Sequence, residues 1–125
     1  MNFKGKNVRV IITGNAKDEY DLLNATVNTE ISRGITKSEH QTLLRAINKK
    51  IDLLKSNPEY GIHIPKDRIA EEYILRYDVN NLWKVDLPGF WRMIYSIRGS
   101  EVEIIAIILD ILNHKEYNKK FKYKK

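Results

Sequence analysis

The chain has 125 residues, 42% of them hydrophobic and 30% charged, which suits one domain with a modest core. It contains no cysteine, which excludes a disulfide framework, a thiolate metal site and a thiol nucleophile; no run approaches the ~20 apolar residues that span a bilayer. Much of the net charge of +6 sits between Lys115 and Lys125, where six lysines face Glu116 alone; such a segment attracts polyanions and equally describes a solvated terminus.

The opening residues, MNFKGKNVRV, lack the apolar segment of a secretory signal, so a soluble cytoplasmic protein is expected. NVRVIIT, Asn7 to Thr13, is short and β-branched and reads as a strand. Beyond Gly14 and Asn15, Tyr20, Leu23, Val27 and Ile31 recur at helical steps, with Gly34 as the stop. Thr36 and Glu39 have capping-box spacing and open a second helix. Its stripe is Leu43, Leu44, Ile47, Ile51 and Leu54, and it ends at Ser56–Pro58. So short a connection predicts an antiparallel helical hairpin over about 15–57. Each helix is apolar on one face, so the pair must lie on something flat.

Between Tyr60 and Asp78 the pattern is irregular, with room for a short helix around Ile69–Leu75. The sheet core is expected over about 81–112. LWKVDL and WRMIYSIR both alternate, and side-chain sorting decides their register. A two-residue Pro88-Gly89 loop mixes polar and apolar residues on both faces. A three-residue loop, Pro88 to Phe90, puts Trp83, Val85, Leu87, Trp91, Met93, Tyr95 and Ile97 on one face. Lys84, Asp86, Arg92, Ser96 and Arg98 then share the other, with Ile94 as the exception, and Asp86 directly opposes Arg92. RGSE turns the chain into VEIIAIILDIL, apolar on both faces and therefore interior to the sheet. HKEYNKKF reads as a short terminal helix before a basic tail, together 113–125. The expected architecture is a single α+β domain, residues 1–125, ordered β-α-α-β-β-β-α. Its small, mainly antiparallel sheet carries the helical hairpin on one face and leaves the other cationic and partly open.

His40, His63 and His114 have no metal-ligand spacing, and no phosphate loop or dinucleotide turn occurs, so neither metal nor cofactor is expected. His40 and His63 read as surface or cap residues. His114 and Tyr117 lie three apart, on one side of a helix, and histidine exchanges protons near neutrality. Arg92 and Lys84 on the open face could hold a phosphate and stabilise charge developing on it. Together these suit metal-free RNA cleavage, in which a ribose 2′-hydroxyl attacks its own phosphate. Taken singly, Arg92 opposite Asp86 reads as a structural ion pair, Lys84 as a lysine along a strand edge, His114 as a cap and Tyr117 as a core ring.

Residues 82–121, LWKVDLPGFWRMIYSIRGSEVEIIAIILDILNHKEYNKKF, resemble the C-terminal half of RelE/ParE-superfamily toxins of type II toxin–antitoxin systems. The likeness rests on the order of aromatic-Lys-x-x-Leu, a turn, aromatic-Arg-hydrophobic-hydrophobic-Tyr, an apolar strand and a polar cluster. The ending His-Lys-x-Tyr is similar to the terminal His-x-x-Tyr of the HigB-like branch. The resemblance implies a metal-independent mRNA endoribonuclease acting with the ribosome, and a cognate antitoxin protein as partner. It implies catalytic roles for Arg92, Lys84, His114 and Tyr117, with Asp86 as a supporting carboxylate. Lys115, Lys119, Lys120 and Arg98 are the cations expected to hold RNA. The pattern departs from RelE at Asp86, where RelE has a second lysine, and at Ile111 or Leu112, where it has an arginine. The alternatives are a non-catalytic ParE-like toxin that inhibits DNA gyrase, a branch His114 with Tyr117 argues against, and an inactive RNA-binding relative.

Overall fold

The computed structural model describes residues 2–121. Within them lie strands β1 (Asn2–Phe3) and β2 (Lys6–Ile12), helices α1 (Gly14–Ser32) and α2 (Glu39–Ser56), strand β3 (Ile62–Ile64) and helix α3 (Glu71–Tyr77). Strands β4 (Leu82–Leu87), β5 (Trp91–Gly99) and β6 (Glu103–Leu112) and helix α4 (His114–Phe121) complete the α+β fold. The sheet order is β1-β2-β6-β5-β4-β3. Every neighbouring pair is antiparallel except β2 and β6, which run parallel from Asn7↔Glu103 to Ile12↔Ile108. To the expected order the fold adds β1 and β3, both short; α3 is the short helix of the irregular segment, two residues later than read. Lys122, Lys124 and Lys125 of the basic tail lie outside the described residues.

The helical hairpin packs on one face of the sheet. Leu23 and Val27 of α1 and Leu43, Ile47 and Leu54 of α2 join Val85, Leu87, Met93, Tyr95, Ala106, Ile108 and Ile111 in one buried cluster. Gly34, at φ 79°, ends α1: Ile35 N–H donates to Glu30 O at 2.9 Å and Gly34 N–H to Ile31 O at 3.0 Å, the paired closure of a Schellman motif. The cap of α2 differs from expectation. Ser38, not Thr36, accepts from Gln41 N–H at 3.1 Å. Ser38 to Gln41 has the same spacing as Thr36 to Glu39, and Glu30 decides between them. Its carboxylate takes the Ser38 hydroxyl and Gln41 Nε2, and His40 Nδ1 lies 2.8 Å away.

The β4–β5 hairpin turns through Pro88–Phe90 and pairs Asp86 with Arg92 and Lys84 with Ile94, the register that side-chain sorting predicts. β6 is interior, between β2 and β5. Its pairing with β5 steps from Ile94↔Asp110 to Tyr95↔Ile108, leaving Leu109 as an extra residue. The bulge turns Ile108 and Ile111 to the hairpin face and Leu109 and Leu112 to the other.

That second face is more covered than the sequence led us to expect. Tyr73 of α3 and Tyr117 of α4 lie with Leu82, Ile94, Leu109 and Leu112 in a second buried cluster. Ile94, the exception in the alternation, is fully buried there. Tyr117 and Phe121, four apart on α4, have ring centres 4.7 Å from each other and give this short helix an apolar side.

Candidate functional site

β4 carries Lys84 and Asp86 two residues apart, so both project from the face under α4. Arg92 opposes Asp86 from β5. Its Nε lies 2.9 Å from Asp86 Oδ1 in an ion pair whose N–H is not directed along the contact, and its Nη1 donates to Trp91 O at 3.2 Å. Lys84 Nζ reaches the same Oδ1 at 3.4 Å. Above them stands Tyr117. Lys84 Nζ is 5.5 Å and Arg92 Cζ 5.2 Å from the centre of its ring, within the range where the negative face of an aromatic ring attracts a cation. The Tyr117 residue is only 2% exposed, and the side chains of Arg92 and Lys84 are 15% and 19% exposed. Asp86, at 55%, is the accessible member. Two cations thus share one carboxylate and one ring in a setting where charge is poorly screened.

His114 opens α4 and is exposed. Its ring centre lies 5.5 Å from that of Phe90, and its Nε2 is 3.2 Å from Asn118 Nδ2, an amide donor for an unprotonated imidazole nitrogen. Phe90 sits in the β4–β5 turn with φ 63° and is 68% exposed. Phe90 precedes Arg92 by two residues, so the imidazole stands by the β4–β5 turn with an open aromatic surface beside it. Sequence reading passed over Phe90; its signal was a large apolar residue at a loop position that the register had already fixed.

The other cations go elsewhere. Arg98 lies towards the far end of β5, where Nη2 donates to Tyr77 O at 3.1 Å and Asp78 O at 3.0 Å, capping the C-terminal end of α3. Lys120 pairs with Glu72 at 2.9 Å, and Lys115 and Lys119 are exposed on α4. Of the residues named from sequence, Lys84, Asp86, Arg92 and Tyr117 meet, His114 lies at the start of α4 against Phe90, and Arg98 and Lys120 are drawn into the fold.

A second polar group lies under α3 and α4. Tyr73 Oη donates to Asp110 Oδ2 at 2.7 Å, and Lys120 Nζ is 3.9 Å from the same oxygen. Burial pushes the Asp110 carboxyl above its usual range; Tyr73, Lys120 and Asn15 pull it down less strongly. Burial likewise pushes the Tyr73 hydroxyl well up, and the negative charge of Asp110 adds to the effect. A lone acid in IILDIL was the signal that could have found this group.

Among the described residues no helix is long and apolar enough to cross a membrane, and no three His, Asp or Glu side chains gather as metal ligands would. No family model, no curated protein and no solved structure matches the chain.

Proposed function

We propose that this chain is a toxin of a type II toxin–antitoxin system, a RelE/HigB-like, metal-independent mRNA endoribonuclease that works with the ribosome in the cytoplasm. One observation carries the reading: Lys84 and Arg92 converge on one exposed carboxylate beneath an aromatic ring, and an exposed histidine opens the helix that carries that ring. A phosphodiester entering this group takes over the cations from Asp86, which is free to swing into solvent. Arg92 and Lys84 then neutralise the charge that builds on the phosphorane as the 2′-hydroxyl attacks. His114 exchanges the proton with the attacking or leaving oxygen. Tyr117, buried, holds the cations in place, and Phe90 offers a base a stacking surface. The remaining partner in this reading is a cognate antitoxin.

The test is mRNA cleavage by the purified protein and by Arg92→Ala and His114→Ala, mapped with and without translating ribosomes. Wild-type cleavage and its loss in both variants is expected. Full activity in both variants would reject the site, and no cleavage in either setting would reject the nuclease. Growth arrest on expression, relieved by a small protein that copurifies, is the expected sign of the antitoxin.

The charge balance of the same group favours a second reading. Asp86 already engages both cations, as it would in an inactive RNA-binding relative or a ParE-like toxin directed at DNA gyrase. Inhibition of gyrase supercoiling without RNA cleavage would select the latter.

A further inference from the structure

Between β3 and α4 lies a cavity of about 110 Å³ that shares two walls, Lys84 and Tyr117, with the cation group. Ile62 and Ile64 line one side. Tyr117 and Phe121 supply aromatic surface on the other, and Arg68 stands with Lys84 as a second cation. Ile62 pairs with Lys84 across the strands, so the apolar wall and the lysine belong to one rung of the sheet. Among the described residues that line it, none is a carboxylate. The larger groove of about 910 Å³ between the start of α3 and α4 has the opposite character. Asp67, Glu71, Glu72 and Glu116 line it against Arg68, Lys119 and Lys120, and a phosphate chain is repelled there.

We infer that the smaller cavity receives a single nucleobase, that of the nucleotide adjoining the phosphate held by Lys84 and Arg92. The inference rests on the nuclease reading and adds base selection to it. Three features argue for this occupant. The volume suits one planar base and excludes a helix or strand of a protein partner. The walls are apolar and aromatic, as stacking on a base requires. His63 also lines the cavity, but its ring packs on Trp83 with centres 4.9 Å apart; the charged groups, the ammonium of Lys84 and the guanidinium of Arg68, are donors only. Donors match the carbonyl-bearing edges of guanine and uracil and meet the exocyclic amines of adenine and cytosine as like groups. The cavity therefore selects keto bases, and Arg68 is the residue that sets the preference.

The test uses fluorescein-labelled hexanucleotides with 2′-deoxyribose throughout, which cannot be cut, carrying one base at a single position in an otherwise abasic strand. Uracil or guanine there should bind roughly tenfold more tightly than cytosine or adenine, and any base more tightly than none. Arg68→Ala should level uracil with cytosine. Ile62→Trp, at an exposed edge position, should fill the cavity and bring every strand down to the abasic affinity. Equal binding of all bases by wild type, or an unchanged preference in both variants, overturns the inference. The matching ribonucleotide strands separate it from the reading beneath it. Base-selective binding without cleavage leaves the cavity standing and removes the nuclease. Cleavage with a base preference that ignores Arg68 and Ile62 does the reverse.

Discussion

Arg92 Cζ stands 5.2 Å from the centre of the Tyr117 ring, so the guanidinium that pairs with Asp86 is also a packing partner of α4. Removing the ring should cost folding as well as function. Tyr117→Ala is expected to destabilise the protein by about 3–5 kcal/mol. Tyr117→Phe keeps the ring and its attraction for both cations, and should stay within about 1.5 kcal/mol of wild type. Urea denaturation measures both. If proton transfer falls to His114, Tyr117→Phe slows cleavage less than tenfold, while His114→Ala slows it by roughly 10²–10⁴. The reverse order would exchange the two roles.

Asp86 stands where a phosphate is expected to bind. Asp86→Asn should therefore tighten binding of an uncleavable 2′-deoxy oligonucleotide by roughly threefold or more and steepen its salt dependence. Asp86 is 55% exposed, but the cations it serves are 15% and 19% exposed, so its loss should also cost about 1–3 kcal/mol of stability. Weaker binding in the variant, measured by anisotropy across a salt series, would show that the carboxylate assists the strand.

The buried Asp110 makes stability depend on pH in a direction that can be stated. Unfolded, the carboxyl ionises near ~3.9; folded, burial raises that value. Between the two values the folded state keeps a proton that the unfolded state has lost. Stability therefore declines as pH rises through this window and stays at its lower level above it. Glu30 acts oppositely, because hydrogen bonds from Ser38 and His40 hold its value down, so its contribution fades as pH falls. The informative measurement is the difference in unfolding free energy between wild type and Asp110→Asn. That difference should change through the window and be flat above it. Tyr73→Phe removes the hydroxyl that Asp110 accepts from and should cost about 1–3 kcal/mol.

The cap of α2 gives a simple pair of variants. Ser38→Ala should cost about 1 kcal/mol, since it removes both the acceptor for Gln41 N–H and a donor to Glu30. Thr36→Ala should cost nearly nothing. Thermal denaturation of both would settle which residue starts the helix.

Much of the fold was legible because alternation is unforgiving. One residue more or fewer in the Pro88–Phe90 turn would have put Arg92 in the core and Trp91 in solvent, so the sorting left one register. β6 was legible as interior because Ile104 to Ile108 is apolar on both faces. The same run, with Ile94 as the apolar exception on β5, is also the mark of a covered second face, and the expectation of an open cationic face missed it. The covering elements were harder to see. α4 buries only Tyr117 fully, with Phe121 partly covered beside it, and α3 buries only Tyr73 fully; neither has the long stripe that marks a helix in sequence. For that reason the meeting of Lys84, Asp86 and Arg92 could be read from strand pairing. The ring that roofs them, and the cavity beside it, depend on how a short helix lies across the sheet.

The parallel pairing of Asn7 with Glu103 bears on how the molecule comes together. β2 has no long neighbour in the sheet until β6 exists, since β1 offers it only two residues. Until then the helical hairpin has no completed sheet to rest on. Contacts so distant along the chain are closed late and slowly. The last strand is thus the keystone of assembly, and α4, which follows it, brings Tyr117 over Lys84 and Arg92 only once that strand is in place. A nascent chain stopped before residue 103 carries both cations but has no site to put them in.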